Sequence, residues 1–130
     1  MHWMLLLAGF AIASLTFVIW ATKRRRTKIP ALQKERLRSA WDAALELKSP
    51  AQRVLDAEKV CDAVLKALDY QGTFAEKLKQ AAPRLHHAEE LWIAHRLRNS
   101  IAHDVGIRVT EAQSLRALQA FAQIVHQFLS

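Results

Sequence analysis

The chain opens on an unbroken apolar run and then changes to an alternation of apolar and polar positions with helical period. From Trp3 to Ala21 no residue is charged, and Leu, Ile, Val, Phe and Ala dominate. At about 1.5 Å per residue this run reaches about 28 Å, close to the hydrocarbon thickness of a bilayer. Trp3 and Trp20 stand near its two ends, where an amphipathic ring favours the headgroup level. Gly9, Ser14 and Thr16 are tolerated in lipid. A cleaved signal peptide would have a basic start, a shorter apolar core and polar sequence after the cleavage site. Here the start is uncharged and a basic block stops the run. The pattern predicts a retained single transmembrane helix over 1–22, in contact with lipid through residues 3–21.

After a basic juxtamembrane linker over 23–30, the apolar positions recur every three or four residues. A first soluble helix is expected from about Leu32 to Leu47, with Leu37, Ala40, Trp41, Ala44 and Leu47 on one stripe. Ser49-Pro50 supplies an N-cap and a first-turn proline for a second helix. That helix carries Val54, Ala57, Val60, Cys61, Val64, Leu65 and Leu68 at helical spacing and ends near Asp69-Tyr70-Gln71-Gly72. Thr73 to Glu76 reads as a capping box opening a short third helix with Phe74 and Leu78, ended by Pro83. A fourth runs from about His87 to His103, with Ile93, Leu97 and Ile101 on the side expected to be buried. Thr110 to Gln113 caps the last helix, whose Leu115, Leu118, Phe121, Ala122, Val125, Phe128 and Leu129 form an apolar face. The fold class is therefore all-α: a membrane anchor followed by a bundle of four to five helices over 31–130. Short connections fit antiparallel neighbours.

Composition agrees, since Gly and Pro are scarce and Ala and Leu abundant. Cys61 is the only cysteine, which excludes an intrachain disulfide and a cysteine-based zinc site. It is expected to pack as a small hydrophobe. Charge separates the chain into two parts. Five of its 19 Lys and Arg residues (Lys23, Arg24, Arg25, Arg26 and Lys28) follow the apolar run directly. The other 14 face 12 acidic residues, which leaves the globular part near +2. The basic cluster thus reads as an orientation signal, placing the N-terminus outside and the C-terminal domain in the cytoplasm of a single-pass cell-membrane protein. A basic nucleic-acid-binding face on the domain is not indicated by charge.

Candidate chemistry lies in Arg98-Asn99-Ser100-Ile101-Ala102-His103, late in the fourth soluble helix. An arginine fork holds phosphate oxygens and stabilises charge building on them. A histidine that titrates near neutrality takes or gives a proton, and Asn99 is placed to bond substrate or loop. On an ideal helix His95, Asn99 and His103 line up on one polar side, with Arg98 and Ala102 beside them. Arg98 and His103 are five residues apart, about 140° around the axis, so they flank one face without meeting. Convergence requires unwinding near Asp104 and Gly106, or a second copy of the chain.

This stretch, Leu97 to Asp104 followed by a short loop and a capped terminal helix, resembles the HEPN superfamily (higher eukaryotes and prokaryotes nucleotide-binding domain), whose signature is Arg-x4-6-His, commonly with Asn after the Arg. The resemblance covers Leu32 to Ser130, with the motif in the final third. The span together with Ala57-Glu58-Lys59, Tyr70-Gln71-Gly72, Glu76-Lys77-Leu78-Lys79 and Leu91-Trp92-Ile93-Ala94-His95 also looks like small membrane-anchored bacterial proteins. The family implies a bundle of four or five helices, frequent homodimers and, in active members, RNA cleavage without a metal or other cofactor; other members are inactive binding or scaffold domains. By the match, Arg98 and His103 form the catalytic pair, with Asn99 beside them. The competing expectation is structural. Arg98 pairs with Glu58 or Asp62, Asn99 and His103 hold the helix end, and the domain is a non-catalytic module for oligomerisation or a protein partner.

Other clusters carry less. His86 and Glu90 have metal-ligand spacing but no matching pair elsewhere, so they read as a solvated helix start. Trp41 and Trp92 are expected as packing anchors, and His126 as partly exposed. No glycine-rich phosphate loop, serine-nucleophile elbow or haem motif occurs.

Overall fold

In the computed structural model, the backbone is described for residues 2–23 and 28–130, with side chains described over 2–18 and 28–130. The side chains of Trp20 and Lys23, and the basic residues Arg24, Arg25 and Arg26, lie outside the described residues. Every regular element among the described residues is helical: α1 (His2–Lys23), α2 (Ala31–Leu45), α3 (Pro50–Ala67), α4 (Phe74–Ala81), α5 (Ala88–His103) and α6 (Glu111–Leu129). A single 3₁₀ turn, Ala82–Arg84, carries Pro83. Five α-helices thus follow α1, at the upper end of the expected range.

The helix starts form where the sequence supplies caps. Ser49 Oγ accepts from the Gln52 amide, and Pro50 occupies the first turn, where its missing N–H costs nothing. Thr73 with Glu76 and Thr110 with Gln113 close two reciprocal capping boxes at the starts of α4 and α6. Each such cap stabilises its helix by about 1 kcal/mol. Gly72, just before α4, adopts a positive φ of 103°. A Cβ there would meet the Glu76 side chain that closes the box, so glycine is required twice over.

Cross-helix hydrogen bonds give the directions. Ser114 Oγ donates to the Pro50 carbonyl, joining the starts of α6 and α3. Lys34 Nζ donates to the Ser130 carbonyl, joining the start of α2 to the end of the chain. Gln127 and Gln123 reach back to Arg84 and Glu90 before and at the start of α5. So α3 and α6 run parallel at the centre, and α2 and α5 run antiparallel to them on either side. α4 packs against α3.

The core lies between α3 and α6, where Val54, Ala57, Val64, Leu65, Phe121 and Ile124 are wholly buried. Each large side chain among them contributes about 1.5–3 kcal/mol of burial. Cys61 is one of this set; its thiol donates to the Phe121 carbonyl at 3.4 Å, and burial pushes its ionisation well up. Trp41 is buried as an anchor of α2, while His126 is exposed.

Three expectations are corrected. First, the membrane span over 3–21 is not reproduced as such: among the described residues no helix is long and apolar enough to cross a membrane. Second, Leu115 of α6 is 56% exposed rather than part of the core face. Third, α5 is turned from its expected setting. Leu91 and Ala94 point inward, Ile93 is 47% exposed, and Leu97 and Ile101 are only partly covered. The reason for that turn is polar.

Candidate functional site

Glu58 sits mid-way along α3 on the side that otherwise carries Val54, Ala57 and Cys61, and it is 5% exposed. A carboxylate taken this far out of water needs partners. α5 provides them. His95 Nδ1 lies 2.9 Å from Glu58 Oε2, and Arg98 Nε lies 3.3 Å from Glu58 Oε1. The arginine contact is an ion pair without hydrogen-bond alignment, since Nε has no hydrogen-bond acceptor. Both contacts draw the His95–Arg98 side of α5 towards α3, which turns Ile93 outward.

Asn99 closes the circle. Its Nδ2 is 3.3 Å from His95 Nε2, and its Oδ1 accepts from Arg98 Nη1 at 3.4 Å. An amide nitrogen only donates, so His95 Nε2 accepts and Nδ1 carries the proton that goes to Glu58. The four side chains therefore form a ring: Glu58, His95, Asn99, Arg98 and back to Glu58. Its Glu58–His95 side is short, whereas both Asn99 links are long and correspondingly weak. Burial lifts the Glu58 carboxyl above the ordinary carboxylate range, against the lowering effects of the His95 hydrogen bond and the nearby His95 and Arg98 charges.

The ring forms one wall of a cavity of about 410 Å³. Gly72, Thr73 and Phe74 at the start of α4 also line it. Phe74 packs on the His95 ring at 5.2 Å between centroids, and Trp92 meets the same ring edge-on at 6.0 Å. Asp62 lines the floor but is engaged by Lys77 at 2.9 Å, while the exposed Lys59 stands at the rim. The Arg98 side chain keeps 29% exposure here. A guanidinium gripped from behind and open in front is held ready for an anion.

Arg98 and Asn99 are thus brought together in one cavity. His103 is not. It ends α5, is exposed, and does not line the cavity. No unwinding folds it back, because Asp104 leaves the helix in an extended conformation with ψ 137°. His86 and Glu90 are likewise exposed at the start of α5. Among the described residues no group of three or more His, Cys, Asp or Glu is placed to hold a metal ion.

The role of His95 was the part least visible in the sequence. Two signals pointed to it: an acid at a core position of α3, and a histidine one turn before the motif arginine. No protein-family model matches the chain, and neither a curated protein nor a solved structure matches it significantly.

Proposed function

We propose that this chain is a membrane-tethered, HEPN-like helical domain that binds RNA at the cytoplasmic face through the Arg98 cavity. The observation that carries the reading is the setting of Arg98. Glu58 fixes the guanidinium from the protein side, Asn99 lies beside it, and its outer face opens into a cavity. A phosphodiester oxygen is the ligand such a fork fits best. The motif's His103 reaches this ligand only from a second copy, which makes a homodimer part of the reading for cleavage by that pair. The anchor is α1: every side chain described in it, from His2 to Val18, is exposed, and α1 takes part in none of the main helix pairs of the bundle. Leu5, Leu6, Leu7, Phe10 and Ile12 are exposed among the described residues. A single-pass arrangement with the N-terminus outside is the finer form of the same proposal.

The experiment is a titration of labelled single-stranded RNA with the full chain in detergent, in EDTA. Arg98→Ala is expected to weaken binding at least about tenfold. Unchanged affinity in a folded variant removes the cavity from the function.

A second reading, a non-catalytic interaction or oligomerisation module, is favoured by the ring itself, which uses Arg98 to fasten α5 to α3. The near-neutral charge of the globular part also fits it. On that reading Arg98→Ala lowers the melting temperature and the wild-type chain has no RNA affinity.

A further inference from the structure

The HEPN-like motif pairs Arg98 with His103, but a different histidine shares the arginine's position. His95 and Arg98 are three residues apart, which places them about 60° from each other around α5 and one turn apart along it. The same carboxylate grips both, His95 through Oε2 and Arg98 through Oε1. Both line the cavity that His103 does not reach.

We propose that His95 is the acid/base residue of this site and that Glu58 is its positioning residue. The inference rests on the RNA reading above. The geometry matches what a general base requires. A buried carboxylate fixes the proton on Nδ1, Phe74 and Trp92 pack against the ring, and Nε2 accepts from Asn99, which lines the same cavity. At present that lone pair is held by Asn99 through a long, weak contact of 3.3 Å. Asn99 has a second long contact, to Arg98. Turning this one amide aside frees His95 Nε2 and Arg98 Nη1 together, while the shorter Glu58–His95 bond stays in place. The ring therefore opens at Asn99.

In the reaction, once Asn99 has turned aside, His95 Nε2 takes the proton of an RNA 2′-hydroxyl. The 2′-oxygen forms a bond to the adjacent phosphorus and the bond from phosphorus to the 5′-oxygen breaks. The leaving 5′-oxygen takes a proton from solvent, and His95 returns its own to solvent. Arg98 holds the non-bridging oxygens as their charge grows. The products are a 2′,3′-cyclic phosphate end and a 5′-hydroxyl end, and no electron changes hands. The charged and titratable groups facing the imidazole are Glu58 and Asp62 from α3, with Lys59 at the rim, and Arg98 from α5.

The test uses the full chain in detergent, a labelled single-stranded RNA and EDTA. Binding and cleavage are followed separately. His95→Gln is expected to lower the cleavage rate by about 100-fold or more while RNA affinity changes little. Glu58→Gln is expected to move the acidic limb of the pH–rate profile to lower pH, which a purely structural role would not do. Cleavage by His95→Gln at the wild-type rate overturns the assignment and returns the role to His103. RNA that binds without being cleaved by the wild-type chain also overturns it, and leaves the binding reading standing. Absence of binding overturns that reading and this one with it. Should His95→Gln unfold, the wild-type chain still decides. RNA is expected to shift the His95 Nε2 signal in ¹⁵N spectra and leave Nδ1 in place, and an unmoved Nε2 signal overturns the proposal.

Discussion

Glu58 is the residue on which the site turns, because it is a buried acid whose two oxygens each engage a side chain of α5, the His95 imidazole and the Arg98 guanidinium. Its carboxyl ionises above the ordinary range, with burial the larger cause. The neutral form is therefore favoured in the folded state relative to the unfolded one. The stability linked to this group is full below the ordinary carboxylate value and is lost as pH rises through the raised one. Denaturant midpoints measured from about pH 4 to pH 7 should fall with pH in the wild type more steeply than in Glu58→Gln, which has no proton to lose there. Equal slopes would mean that Glu58 is not the titrating group. Replacement by Ala is a harsher change. It strands the His95 Nδ1–H and the Arg98 guanidinium, at a cost of about 2–3 kcal/mol once the partial exposure of Arg98 is allowed for. Arg98 and Asn99 were legible as polar chemistry from the sequence because the motif sets them side by side. His95 was legible only as a polar position, since nothing local announces that Glu58, 37 residues earlier, will meet it.

Helices and their starts were written in short-range chemistry, and the three capped starts at Ser49, Thr73 and Thr110 form where those residues stand. Periodicity was less able to fix which side of α5 turns inward. Ile93, Leu97 and Ile101 make an apolar stripe by count, but buried ion pairing outweighs the exposure of one isoleucine, so Leu91 and Ala94 take the inner place. Leu115 is a similar case at the start of α6, an apolar position left at the edge of a groove between α2 and α6. α1 is a separate problem, since its described side chains from His2 to Val18 are all exposed. Flotation with phospholipid vesicles should carry the full chain upward, and Leu6→Asp with Phe10→Asp should leave it below. Alkaline carbonate refines the result: retention indicates a spanning helix, release a peripheral one. A wild-type chain that fails to float would end the anchoring proposal.

At the scale of the whole molecule, the start of α2 and the site lie at different levels of the bundle. The start of α2, which follows α1, lies at the same end as the close of α6. The Arg98 cavity opens part-way along α3 and α5, and the end of α5 with His103 points away from the α2 start. The globular part carries little net charge, so the proposed RNA binding rests on a few well-placed contacts rather than on a broad basic face. That concentrates the account on one guanidinium. The most direct measurement is the Arg98 Nε–H signal of the full chain during a titration with single-stranded RNA. It should move and saturate with the binding curve, and an inert DNA strand of the same sequence should move it less. An Arg98 signal that stays fixed while RNA binds elsewhere on the chain would contradict the account.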